Sequence, residues 1–148
     1  KRHINIESLN VSKSEIENVS KFTVVVLLEE ELARKIVGQI EKQIEVIKAF
    51  YHLDDETIYQ ESVLFKIASN LLFDERQIQN IIKDCNATIV TVSREFFVLA
   101  KTGRKHEIDD MYQQLLPFGI MQFVRSGRIA VTKAEMPISV LLSKFQKQ

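Results

Sequence analysis

Read for hydrophobic periodicity, the chain repeats itself: the order strand, strand, helix, strand occurs twice, and this limits the fold more than any single motif does. His3–Glu15 (HINIESLNVSKSE) opens as a strand with apolar residues alternating at Ile4 and Ile6, after which the parity shifts to Leu9 and Val11. Lys21–Leu28 (KFTVVVLL) is β-branched and apolar on both faces, and the polar stretch SKSEIENVS before it makes the two a hairpin-like pair. Glu29–Ile44 carries Leu32, Ile36, Val37 and Ile40 at helical spacing, with Glu29, Glu30 and Glu31 at the end where the helix dipole favours anions. Glu45–His52 (EVIKAFYH) reads as a closing strand.

After the acidic separator Asp54-Asp55-Glu56, a second block reads strand, helix, strand, strand, helix, strand. Its strands are Ile58–Ala68, Thr88–Val92 and Glu95–Lys101 paired across Ser93-Arg94, and Ile120–Val131 with a bend at Gly127. Its first helix is Asp74–Asn86, capped by Asp74 with Ile78, Ile81, Ile82 and Cys85 inward. The second is Arg104–Leu116, with Ile108, Met111, Tyr112 and Leu115 as its stripe, stopped by Pro117-Phe118-Gly119. This βαββαβ order is the ferredoxin-like one: a four-stranded antiparallel sheet, both helices on one face, the first strand central between the third and fourth. The expected fold is α+β with two such domains. Residues 1–53 form a domain truncated to ββαβ, residues 57–133 a complete one. In the tail, 134–148, Ile138, Leu141, Leu142 and Phe145 have the spacing of a short amphipathic helix.

Loss of a central strand leaves a hole in a sheet, and its core side chains are worth about 1.5–3 kcal/mol each. Their sum rivals the roughly 5–15 kcal/mol that holds a whole domain together. The first domain is therefore expected to lean on the second domain, a partner subunit or a swapped element. Lys21–Leu28 supports this, because Phe22, Val24, Val26 and Leu28 lie on one face and Val25 and Leu27 on the other, while helices cover only one. A homodimer with a two-fold contact is expected to cover the second face. Packing of the two domains within one chain is the alternative.

The 148 residues balance 20 Lys+Arg against 20 Asp+Glu and show no basic stripe, so nucleic acid is not an expected partner. No apolar run approaches the ~20 residues of a membrane helix and no secretory signal is visible, which points to the cytoplasm. Asn10, Asn18 and Asn86 open Asn-x-Ser/Thr triplets that are then chance matches. The single cysteine, Cys85, excludes an internal disulfide and a multi-thiolate metal site, and its helical spacing marks a core thiol. His3, His52 and His106 fall on separate elements, Asp109-Asp110 reads as a solvated face, and Gly103-Arg104-Lys105 lacks the rest of a phosphate loop. Neither a catalytic site nor a metal site is expected.

Three motifs carry a resemblance. NIESL at Asn5–Leu9 resembles the start of the second strand of the small regulatory subunit of acetolactate synthase. IYQESVLFKI at Ile58–Ile67 is similar to that family's inter-domain strand, a variation on VERELMLVKV. LLPFGI at Leu115–Ile120 followed by VRSGRIAVTK at Val124–Lys133 resembles its PFGI…RTG…ALSR ending. The resemblance runs from His3 to Lys133, about nine-tenths of the chain.

It implies a non-catalytic subunit with an N-terminal ACT domain and a second ferredoxin-like domain, holding no cofactor of its own. The partner it implies is the large subunit of acetolactate (acetohydroxyacid) synthase. That subunit carries thiamine diphosphate, FAD and magnesium and condenses pyruvate with pyruvate or 2-oxobutyrate. The small subunit raises its activity and confers feedback inhibition by branched-chain amino acids, most often valine. In the family the effector sits between two ACT domains, an Asn-x-x-Gly loop coming from one chain and the start of NIESL from the other. This carries over to Asn5 and Ile6 as effector-binding residues; an amide can serve either an ammonium or a carboxylate. Without the resemblance, Asn5 reads as an ordinary strand-start residue. The Asn-x-x-Gly loop is expected upstream of Lys1, so the first strand and most of the first helix are expected to be missing, and valine binding to be weak or absent. A free-standing ACT-type amino-acid sensor, dimeric but unable to bind the synthase, is the alternative function; an enzyme has the least support.

Overall fold

The computed structural model describes residues 4–134. The described chain falls into two compact units: residues 4–59 together with 128–134, and residues Gln60–Gly127.

In the first unit the alternating opening stretch forms β1 (Ile6–Lys13), antiparallel to β2 (Ser20–Val26). The turn between them is closed by Ser14, whose Oγ accepts the Ile16 N–H at 3.1 Å while its own backbone N–H reaches the Val19 carbonyl at 2.9 Å. Asn18 there adopts a φ of 65°, a left-handed conformation that asparagine tolerates. Ile6 pairs with Val26 but Ser8 with Val25, so Glu7 is an extra residue and β1 carries a bulge. The bulge accounts for the parity shift in the sequence: with one residue inserted, Ile6, Leu9 and Val11 share a face.

Helix α1 (Glu30–Glu41) follows, with Glu30 and Glu31 in its first turn. Leu32, Ile36 and Val37 are only half-buried, and none of its residues is fully buried.

The strand expected over Glu45–His52 does not form. That segment is tied instead to α1. Ala49 N–H donates to Glu41 Oε1 at 3.2 Å and Lys48 Nζ stands 3.4 Å from the same oxygen. The Tyr51 hydroxyl donates to Glu30 at 3.3 Å and accepts from Arg34 at 3.4 Å. The physical reason lies in the second block, where the last strand pairs with the first. The corresponding first strand has no counterpart among the described residues of the first block, and an extended segment without a ladder partner is not a strand.

The second unit holds most of the complete block: β3 (Thr57–Ala68), α2 (Asn70–Asp74), α3 (Arg76–Asp84), β4 (Thr88–Val92), β5 (Phe96–Gly103), α4 (Lys105–Leu115) and β6 (Gln122–Thr132). The opening residues of β3 and the closing residues of β6 group with the first unit. Asp54–Glu56, expected as a plain separator, forms a 3₁₀ turn before β3. The sheet order β4-β5-β3-β6 places the block's first strand between its third and fourth, as the βαββαβ reading requires. Along β3 the residues Glu61, Val63, Phe65 and Ile67 are buried and their neighbours are not, so one sheet face alone is covered. Phe65, Ile67, Phe97 and Leu99 from the sheet pack with Leu72, Ile78, Ile81, Ile108, Met111 and Leu115 from the helices in a single core.

The helix expected from a cap at Asp74 is divided. Asp74 ends α2, Glu75 is extended (φ −115°, ψ 104°), and α3 begins at Arg76 with no side-chain cap bond. The break is stabilised by Gln79, whose Nε2 donates to the Leu72 carbonyl at 2.9 Å. At the far end of α3, Asn86 takes φ 53° and Ala87 N–H returns to the Ile82 carbonyl, a left-handed helix stop. Cys85 packs partly buried against the core, its thiol pKa pushed up by burial, with Lys101 nearby acting in the opposite sense. The helix expected in the tail lies outside the described residues beyond Ala134.

Candidate regulatory site

Asn5 directly precedes β1 and is exposed; Ile6 opens the strand and is likewise exposed, opposite Val26. The bulge at Glu7 separates this pair from the rest of the strand, so the strand start is aimed independently of the ladder that follows. Beyond the bulge, Leu9 faces Val24 and Val11 faces Phe22. With Ile6 these residues make one apolar face, each side chain between 47% and 65% exposed. The opposite face carries Ser8, Asn10, Thr23 and Val25, which are half-buried. The hairpin thus hides its more polar side and shows its apolar one, the reverse of a sheet that stands alone.

On the half-buried side, Ser8 Oγ accepts the backbone N–H of Arg128 at 2.6 Å. The Arg128 guanidinium reaches Asp54 Oδ1 at 2.7 Å and lies 3.9 Å from the centre of the Tyr59 ring. Gly127, immediately before it, where a bend was expected, has φ 80° within the continuous strand β6. Nothing local in the sequence marked this cluster; its only trace was the glycine.

Two of the three motifs that carried the resemblance meet within the second unit. Glu61, from IYQESVLFKI, is buried and accepts hydrogen bonds from Arg125, of VRSGRIAVTK, through both Nε (3.0 Å) and Nη2. Arg125 Nη1 also reaches Asp109 on α4 at 2.8 Å. Burial opposes the guanidinium charge, but the hydrogen bonds to Glu61 and Asp109 prevail and raise the Arg125 pKa. The Asp109 carboxyl is held below its ordinary value, first by the hydrogen bond from Lys105 and then by that from Arg125. LLPFGI forms a 3₁₀ turn at Leu116–Phe118, and Gly119 (φ 87°, ψ 117°) reverses the chain into β6 in a region that only glycine occupies readily.

His52 and His106 stay apart from any cluster of ligands: among the described residues no group of three or more His, Cys, Asp or Glu could hold a metal ion. Among them, too, no helix is long and apolar enough to cross a membrane. A shallow groove of about 350 Å³ on the helical side of the second unit is lined by amides and Asp84 over Ile81, Pro117 and Phe118, without a titratable pair aimed into it.

Fold and site together define a tandem ferredoxin-like α+β protein whose first module presents a bulged, apolar strand. Residues 60–134 match the family model described as the small subunit of acetolactate synthase. The chain is 34% identical over 134 residues to the acetolactate synthase small subunit of Bacillus subtilis, covering 90% of this chain and 77% of that one. It is 29% identical to that of Mycolicibacterium smegmatis, covering 90% and 78%. The crystal structure of the acetolactate synthase small subunit of Thermotoga maritima shares the fold, with a TM-score of 0.78 at 23% identity over 90% of this chain and 83% of that one. The chain belongs to the acetolactate synthase small-subunit family.

Proposed function

We propose that this chain is a non-catalytic regulatory subunit that binds the large, catalytic subunit of acetolactate synthase, raises its activity and makes it sensitive to valine or another branched-chain amino acid. One observation carries the reading: likeness to proteins named as that small subunit extends over 134 residues, more than the second block alone supplies. Asn5 and Ile6 form one side of the effector site, with the amide addressing the ammonium or carboxylate of the amino acid. The other side comes from a second copy. The exposed face of Ile6, Leu9, Val11, Phe22 and Val24 supports pairing of this kind, since a patch of that composition marks a protein contact. Thiamine diphosphate, FAD and magnesium belong to the catalytic partner.

The test reconstitutes the large subunit with the full-length product of the gene and follows acetolactate formation against valine. Activation is expected, together with inhibition by valine. Failure to activate overturns the partner assignment in favour of a free-standing amino-acid sensor.

A further inference from the structure

Ser8 sits directly after the bulge, three residues from Asn5, and its hydroxyl joins β1 to a residue 120 positions away. The donor is the backbone N–H of Arg128, which follows Gly127 with its φ of 80°. The Arg128 side chain is only 15% exposed, between the Asp54 carboxylate and the Tyr59 ring. A planar guanidinium held by a carboxylate and an aromatic face is confined in both direction and tilt. Its backbone N–H is confined with it. Ser8 therefore ties the one compliant point of β1 to a residue fixed on two sides.

We propose that Ser8 and Arg128 are positioning residues for the effector response: they hold the bulged start of β1 so that occupancy at Asn5 and Ile6 is felt at Arg128 and Asp54. The proposal rests on the effector reading above. A ligand at the strand start can act only by favouring one of two arrangements of what lies beneath it. We assign the two arrangements to the bulge, because Glu7 lies outside the regular register, with the Ser8 hydroxyl selecting between them. Asp54 opens the 3₁₀ turn that leads into β3, and Arg128 lies within β6.

The experiment uses the full-length gene product reconstituted with the large subunit, with valine as the probe. Ser8→Ala, Ser8→Thr and Asp54→Asn are compared with the unmutated protein for activation without valine and for the half-inhibitory valine concentration. Ser8→Ala is expected to leave activation unchanged and raise the half-inhibitory concentration roughly five- to tenfold, what one ordinary hydrogen bond supplies. Ser8→Thr, which keeps the hydroxyl, restores the response, and Asp54→Asn shifts it in the same direction as Ser8→Ala. Because Asp54 is exposed, that variant reports on the clamp even where a change in β1 disturbs folding. A valine response in Ser8→Ala and Asp54→Asn equal to that of the unmutated protein overturns the proposal while sparing the effector site. Loss of activation together with inhibition, not restored by threonine, also overturns it by showing a structural role. No valine response in the unmutated protein overturns the effector reading and this proposal with it.

Discussion

At the scale of single residues, the family motifs have different physical duties. Glu61 and Arg125 neutralise each other where β3 and β6 meet α4, with Glu61 nearly out of reach of water. Removing one partner leaves the other charge uncompensated, so Glu61→Ala is expected to cost about 2–3 kcal/mol in urea unfolding. The double substitution Glu61→Met with Arg125→Met is expected to lie within about 1 kcal/mol of the parent. Asp109 gives the pair a pH signature. Its folded pKa is depressed below the ordinary value of 3.8, so its contribution is complete above that value and is lost as acid carries the pH down through the folded one. Urea midpoints followed between about pH 5 and pH 2 should therefore fall less steeply in Arg125→Met. Gly119 is required by backbone geometry: a Cβ would meet nothing within 4 Å, so the strain of Gly119→Ala is purely that of φ, at least about 1 kcal/mol by thermal unfolding. Asparagine should not relieve it, since a ψ of 117° lies outside the left-handed helical region. The sequence named the residues of these motifs; that Glu61 and Arg125 meet was not legible, because 64 positions separate them.

At the scale of elements, what could be read was what is local. The complete block was visible because each element carries its own period, and the shift in parity between Ile6 and Leu9 was the bulge seen in one dimension. The errors have non-local causes. Glu45–His52 has strand composition but no ladder partner, and Glu75 breaks a helix whose apolar spacing runs on regardless because Gln79 meets a freed carbonyl. The two blocks should also differ in stability. Among the described residues, all eleven of the buried apolar core belong to the complete block, and none comes from β1, β2 or α1. Amide exchange followed by mass spectrometry is expected to show β1, β2 and α1 exchanging well before β3 and β5. Equal protection in both blocks would show that the first is held by contacts these elements do not reveal.

At the scale of the whole molecule, the proposed regulation and assembly would use the same hairpin. If Asn5 serves the effector, Asn5→Ala in the full-length protein abolishes valine inhibition of the reconstituted synthase while activation persists; an undiminished response removes Asn5 from the site. The apolar face beside it makes a further prediction of size. Sedimentation of the full-length protein should show a dimer that Val11→Asp with Phe22→Lys drives toward monomer, both positions lying opposite each other on the exposed face. Family membership was legible from three short motifs, whereas the inverted hairpin was not. The alternation that usually tells inside from outside points the wrong way when the inside belongs to an assembly.

That inversion bears on how much of the protein a cell keeps. A copy whose hairpin is covered hides the greasy stripe from Ile6 to Val24; an orphan copy displays it to every chaperone and protease it meets. Supply would then be matched to demand without any dedicated signal, because surplus copies carry their own mark for turnover and assembled ones lose it. The strand that would sense the amino acid would also keep count of the subunits.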